Sequence, residues 1–347
     1  MYLLRHRSTA IVTLSCFDIE AKRGSGLPDR QKEKIMKAVR FHEFGAPGVL
    51  TIEDVEQPVP GSGEVRIRVA ASGFNPADNG IRAGSLPIPV TLPHIPGYDV
   101  AGTIDALGSD VTGFAVGDAV IGFLPMTADG AAAEFVVAPA DVLVAAPSSI
   151  PLTDAAALPS VGLTAWQALF DEGSLRSGQR ILIVGAGGTV GGYAVELAAK
   201  AGAYVIATAS PRSRASVTAA GADEVVDHTT TPLLDAVTEQ VDVLLNLAPI
   251  DPAEFEALVG LVRDGGIVVS TTAWMPAPSD EARGVRSTVV FVRSDAQQLA
   301  ELASLVDSGD LHIEIARRVP FGELASIHEQ SAAGTLRGKV VVVPDNA

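Results

Sequence analysis

The run Gly185-Ala-Gly-Gly-Thr-Val-Gly191-Gly192 is the strongest local chemical signal in the chain. Its glycines fall in a GxxGxxG frame. A continuous apolar run at 181–184 precedes it, and a helical pattern follows with Val190, Ala194, Leu197 and Ala198 on one face. Glycine permits a tight turn and close approach of backbone to a pyrophosphate. A helix N-terminus adds free N–H groups and partial positive charge. The strand–turn–helix setting within a βαβ unit separates a dinucleotide site from a flexible loop. Gly185, Gly188, Thr189, Val190 and Gly191 are therefore candidate cofactor residues. A helix–sheet packing turn is the competing reading of the same string.

The end of the next strand selects the nucleotide. Enzymes that use NAD usually place Asp or Glu there to accept hydrogen bonds from the ribose 2′-OH. Here the sequence runs Tyr204-Val-Ile-Ala-Thr-Ala-Ser-Pro-Arg-Ser-Arg214, with no carboxylate between Glu196 and Asp223. Ser210, Arg212 and Arg214 instead offer a hydroxyl and guanidinium groups, which suit a 2′-phosphate. The missing repulsion counts as much as the added attraction, so the expected cofactor is NADP(H). Either arginine taken singly could be ordinary surface charge.

These groups need elements to hold them. From Met36 to about Leu158 short apolar runs at 65–70, 100–104 and 119–123 are broken by turn residues, with Pro58, Pro60, Gly61 and Gly63 marking one turn. This is a mostly β region with antiparallel character. Beyond it, β-like runs at 181–184, 204–207, 224–226, 241–245, 267–270 and 288–292 alternate with helical stretches such as 252–262. Six strands alternating with helices predict a parallel dinucleotide-binding sheet. The tail opens with an amphipathic helix carrying Leu299, Leu302, Ala303 and Val306, followed by β-like segments at 313–319 and 340–343. It is expected to pack back on the first β region.

The bulk numbers bound the partners. The chain has 347 residues, 47% of them hydrophobic, and a formal net charge of −16 at pH 7. An acidic balance argues against nucleic acid or an anionic membrane as the main partner. A single cysteine, Cys16, allows neither an internal disulfide framework nor a cysteine-rich zinc site, and fits a reducing cytoplasm. No apolar stretch approaches membrane-spanning length. Residues 1–35 read as a disordered extension, with the functional chain starting near Met36. A signal or lipoprotein segment is the poorer reading, because the apolar run before Cys16 is short and interrupted.

Several strings, in family order, resemble the zinc-free quinone oxidoreductase (zeta-crystallin-like) branch of the medium-chain dehydrogenase/reductase superfamily. They are Met36-Lys-Ala-Val-Arg-Phe, Gly73-Phe-Asn-Pro-Ala-Asp78 with Ile81-Arg-Ala-Gly84, and Pro96-Gly-Tyr-Asp-Val-Ala-Gly102. Gly162-Leu-Thr-Ala-Trp166, Gly221-Ala-Asp-Glu-Val-Val-Asp227 and Arg337-Gly-Lys339 continue the series. The resemblance implies an α/β architecture. A six-stranded parallel Rossmann domain (158–293) is inserted into a GroES-like, partly β-barrel catalytic domain (36–157 and 294–347), with the active site in the cleft. Zinc-dependent relatives carry a catalytic Cys and a Gly-His-Glu motif where this chain has Asn75-Pro-Ala-Asp78 and Gly97-Tyr-Asp99, so no metal is expected.

By the same resemblance Asn75 faces the nicotinamide region and Thr164 lies near it; these are the candidate catalytic residues. The bland alternatives are an Asn-Pro turn and a hydroxyl at a helix start. Asp78 and Arg82 support the loop. Some relatives have a tyrosine where Gly80 stands, which suggests a more open site here. His228, Asn246, Phe291, Val292 and Lys339 are further cofactor-binding candidates, with a solvated lysine as the alternative for the last. No general acid stands out.

The expected function is hydride transfer from NADPH to a small-molecule quinone or α,β-unsaturated carbonyl without zinc. The alternatives are an enoyl-thioester reductase of fatty-acid or polyketide type, and a non-catalytic NADPH-binding sensor or structural protein. A cytoplasmic homodimer paired through the edge at 288–292 is expected, with no nucleic-acid or membrane partner.

Overall fold

The computed structural model describes residues 35–272 and 275–345. Apart from Ile35, the expectation for residues 1–35 lies outside the described residues. Ile35 itself opens the first strand, β1 (Ile35–Arg40), which pairs antiparallel with β2 (Thr51–Glu56).

A second sheet follows. β3 (Glu64–Gly73), β4 (Asp99–Leu107), β5 (Ala119–Phe123), β6 (Phe135–Pro139) and β7 (Leu143–Ala145) pair antiparallel, with β3 between β4 and β6. The period-two pattern of β3 has a direct cause. Val65, Ile67 and Val69 enter the core, while Arg66 faces outward and forks onto Asp105 of β4 at 2.7 and 3.1 Å. Strands β3 and β4 both extend past the runs 65–70 and 100–104. Their ladder continues to the pair Gly73–Asp99, at the candidate site.

The six-stranded sheet is parallel throughout. β8 (Arg180–Val184), β9 (Tyr204–Ala209), β10 (Glu224–Asp227), β11 (Val241–Asn246), β12 (Val262–Ser270) and β13 (Arg286–Val289) lie in the order β10-β9-β8-β11-β12-β13. Strand order reverses between β8 and β11, the crevice where such sheets bind ligands. Ile181, Leu182 and Ile183 are all fully buried, because helices cover both faces. Truncating any of them to alanine would cost about 2–5 kcal/mol.

One expected strand ends early. The run 288–292 is a strand only to Val289. Its partner β12 stops at Ser270, whose carbonyl accepts a last bond from Val290 N–H at 2.8 Å. The chain then turns, because the buried Gln167 side chain takes both backbone groups of Arg293, at 3.0 and 3.1 Å. The expected helix 252–262 is also shorter, spanning Pro252–Leu258 before a single 3-10 turn.

The tail returns to the sheet that contains β3. The helix Ala296–Ser308 buries Leu299, Leu302, Ala303 and Val306. β14 (Ile315–Pro320) lies parallel to β15 (Lys339–Val343), and β15 pairs antiparallel with the end of β3. Between them runs a helix, Leu324–Ala332, that sequence periodicity did not single out. No helix among the described residues is long and apolar enough to cross a membrane.

Candidate cofactor and active site

β3 ends at Gly73, where a Cβ would meet Ala156 O at 2.4 Å and Asp99 Cβ at 2.9 Å. Only glycine allows that approach. Phe74 and Asn75 then turn the chain into the helix Pro76–Ala83. Proline suits the first helical position. Asp78, three residues after Asn75, accepts from Asn75 N–H at 2.7 Å, one half of a capping box. Its other oxygen accepts from Gly97 N–H at 3.3 Å. Burial pushes the Asp78 carboxyl up to about 7 despite the Asn75 N–H bond, with the neighbouring Asp99 charge adding to the rise.

Asn75 engages two buried charges. Its Nδ2 donates to Asp99 at 2.8 Å, and its Oδ1 accepts from Lys339 Nζ at 2.7 Å. Lys339 also donates to Phe74 O at 3.1 Å and to Asp99 at 3.2 Å. Its three N–H bonds are thus accounted for, and it is 3% exposed. The solvated-lysine alternative is corrected: β15 carries Lys339 inward. Asp99 also accepts from Ser160 N–H at 2.7 Å and Ser160 Oγ at 2.8 Å. Ser160 stands in the first turn of the helix Pro159–Trp166, and one turn along it Thr164 Oγ1 donates to Ser160 O at 2.7 Å. Asn75, Thr164 and Lys339 therefore belong to one network centred on Asp99. Sequence reading missed that centre and Ser160; its one signal was Asp99 in the Pro96-Gly-Tyr-Asp string.

The phosphate loop lies against the same network. Gly185 adopts φ +89°, the left-handed turn that favours glycine. A Cβ on Gly191 would sit 2.4 Å from Gly185 O and 2.5 Å from Ala186 Cα, so the helix Thr189–Lys200 packs directly on the turn. Gly188 is its N-cap and no side chain caps it. A cavity of about 570 Å³ lies at this helix end, and Gly187, Gly188, Thr189, Tyr193 and Lys339 line it, with Glu196 and Glu314 farther along its wall. This cradle fits a dinucleotide pyrophosphate. Val190 is half-buried beside it. Tyr193, one turn past Thr189, was not anticipated as a lining residue.

At the end of β9, Ser210 Oγ lies 3.3 Å from Ser213 Oγ. A Cβ on Gly187 would meet Ser213 Oγ at 2.4 Å, which brings the loop and this hydroxyl pair together. Arg212 is exposed and no described residue bonds its guanidinium. The Arg214 guanidinium donates to Val225 O at 3.0 Å. His228 is exposed and its N–H reaches Ala209 O at 3.3 Å, so it stands beside the same strand end. Asn246 is fully buried at the end of β11, accepting from Ala248 N–H at 3.3 Å. Phe291 is 77% exposed and Val292 partly buried, past the end of β13.

The expectation of a more open site at Gly80 needs correction. A Cβ there would meet Leu86 Cγ at 2.6 Å, and Gly80 O accepts from Ser85 N–H at 2.9 Å. The loop after the helix folds back and Leu86 fills the space.

Residues 61–148 match the model of the alcohol dehydrogenase GroES-like domain, and residues 220–342 that of the zinc-binding dehydrogenase family. A chloroplast envelope quinone oxidoreductase homolog of Arabidopsis thaliana is 32% identical over 90% of this chain and 99% of its own length. The mouse quinone oxidoreductase is 31% identical over 90% and 98%. Among solved structures, the quinone oxidoreductase of Coxiella burnetii superposes with a TM-score of 0.82 at 31% identity, covering 89% of this chain and 99% of that one. An NAD-dependent alcohol dehydrogenase gives 0.81 at 28% identity, with coverage of 89% and 99%. The residues present do not fit a catalytic zinc. Asn75 offers an amide, Asp99 is bound to Lys339 and Ser160, and no group of three His, Cys, Asp or Glu among the described residues could hold a metal.

Proposed function

The chain belongs to the quinone oxidoreductase branch of the medium-chain dehydrogenase/reductase superfamily, and from that premise we propose that it is a zinc-independent, NADPH-dependent reductase of quinones or α,β-unsaturated carbonyls. The observation that carries the reading is the buried Lys339–Asn75–Asp99 cluster, in which an ammonium and an amide already occupy the carboxylate that a metal would need. Alcohol oxidation wants a Lewis acid for the alkoxide. Reduction of an electron-poor conjugated carbon does not, since the added charge delocalises onto the conjugated oxygen.

When bound, a reduced nicotinamide supplies the hydride. The chain supplies placement. The uncapped N-terminus of the helix Thr189–Lys200 holds the pyrophosphate. Lys339 has no spare N–H, so it contributes a fixed positive charge rather than a direct bond. Asn75 has one N–H on Asp99 and keeps a second for a ligand. The Thr164 hydrogen points at Ser160 O, leaving its oxygen as an acceptor. The proton that completes reduction comes from solvent, and orientation with water exclusion does the rest.

Ser210 with the exposed Arg212 supports NADP(H) over NAD(H), because no carboxylate repels a 2′-phosphate there. We assign nucleotide binding to residues 158–293 and the catalytic unit to 36–157 with 294–347. A reducing, cytoplasmic setting suits a chain with one cysteine. Oxidation of NADPH and NADH with a quinone, a conjugated enone and an enoyl thioester tests the reading. Quinone or enone turnover, much faster with NADPH, is expected. Turnover of the thioester alone would make it an enoyl-thioester reductase, and tight NADPH binding without turnover a binding protein.

A further inference from the structure

A second, small cavity of about 10 Å³ lies behind the Asn75–Asp78 turn, lined by Ser72, Phe74, Asp78, Gly97 and His328 among others. Its size is about that of one water position. Two side-chain atoms of its lining residues, Ser72 Oγ and His328 Nε2, are buried and have no hydrogen-bond partner among the described residues. Ser72 is 1% exposed and His328 fully buried, and buried polar atoms are almost always satisfied.

The His328 ring fixes what the cavity needs. Its Nδ1 lies 2.9 Å from Asn79 Oδ1 and 3.3 Å from Arg82 Nε. Nδ1 is thus engaged on both sides, which leaves Nε2 as the ring nitrogen without a partner among the described residues. Burial, with the Arg82 guanidinium beside it, holds the ring neutral and its pKa down to about 3. Nε2 is therefore the ring atom that needs a partner from the cavity. The Ser72 hydroxyl offers a hydrogen and Asp78 a carboxylate. One water can bond Nε2, the Ser72 hydroxyl and Asp78, the three bonds usual for a buried water.

We infer that this cavity binds one ordered water molecule between Ser72, His328 and Asp78, and that His328 is thereby a positioning residue for the turn that carries Asn75. The link runs from the tail helix Leu324–Ala332 through the water to Asp78, which holds Asn75 N–H. It does not depend on the cofactor or substrate.

A high-resolution crystal structure of the full chain is the first test. The expected result is a single density peak about 2.7–3.2 Å from both Ser72 Oγ and His328 Nε2. A cavity without density, or a Ser72 hydroxyl bonded straight to His328, overturns the site. In solution, oxygen-17 relaxation dispersion should count one fewer long-lived internal water in His328→Phe than in the native protein, and the native count in His328→Gln. Equal counts in all three overturn the site as well. Carboxyl carbon-13 NMR tests the positioning role. The water favours the charged form of Asp78, so its titration should move upward in His328→Phe and stay in His328→Gln. An unmoved titration in His328→Phe overturns that role.

Discussion

The Lys339 ammonium lies 2.7 Å from the side-chain oxygen of Asn75, across 264 positions of sequence. It is also 3.2 Å from Asp99, and both partners of that ion pair are buried. Replacing Lys339 by Met leaves an unpaired buried carboxylate, a loss of about 3–5 kcal/mol. Denaturant titration should show it. The double variant Lys339→Met with Asp99→Asn should recover most of the stability. It should still bind the dinucleotide more weakly than the native protein by fluorescence titration, because Asn75 loses the ammonium that holds its side-chain oxygen. Native affinity in the double variant would deny Lys339 any part in binding.

Gly191 has backbone on the far side of its absent Cβ, at 2.4 Å. Gly191→Ala should therefore open the turn and weaken dinucleotide binding at least about tenfold, or about 1.4 kcal/mol. Gly192 has nothing within 4 Å of the same position. Gly192→Ala should hold or raise the melting temperature, since alanine is the better helix former. Equal effects of the two substitutions would contradict the packing argument.

Arg212 is exposed beside Ser210. Arg212→Glu should lower kcat/KM for NADPH by about 10–100-fold, about 1.4–2.7 kcal/mol, while sparing NADH. Steady-state kinetics with both cofactors reads this directly. A parallel loss with NADH would point to a folding defect instead.

Asp78 and His328 oppose each other in pH dependence. The Asp78 pKa rises from 3.8 in the open chain to about 7. The folded state then holds the extra proton, so its contribution is full below pH 4 and fades as pH rises toward 7. The His328 pKa falls from 6.5 to about 3, so the unfolded state holds that proton and its contribution grows as pH rises through the same window. Urea midpoints of the native protein should therefore change little between pH 4 and 6.5 from this pair. Asp78→Asn should steepen with rising stability, and His328→Gln should slope the other way. Two variants with the same slope would refute the assignment.

β13 is the outer strand of the parallel sheet, and Phe291 just beyond it is 77% exposed. An unpaired edge next to an exposed aromatic is a liability unless covered. We expect a homodimer through this edge by light scattering, and a monomer for Phe291→Asp. A native monomer removes the prediction.

The phosphate loop was legible because everything it needs is local: an apolar strand, spaced glycines and an amphipathic helix within about twenty residues. The parallel six-stranded sheet followed from alternation of strand and helix, though not its strand order. The run 288–292 misled because apolarity continues where the partner strand does not. The Asp99 network was hidden for another reason. Its members stand 61 and 240 positions apart, so no window of sequence contains them. The helix Leu324–Ala332 is short, and His328 on its buried face breaks the apolar stripe. Gly80 read as space, whereas Leu86 from the following loop fills it.

The pairing of β15 with the end of β3 also sets a timetable. Phe74 and Lys339 are 265 positions apart, so at about 5–20 residues per second the nascent chain carries an unpaired β3 edge on the order of 10–50 s. The parallel sheet, assembled from consecutive strands, can close during that wait. Asp99 cannot be neutralised until Lys339 emerges. Chaperone dependence during synthesis should thus concentrate on the sheet that contains β3, and slow translation should expose that end for longer.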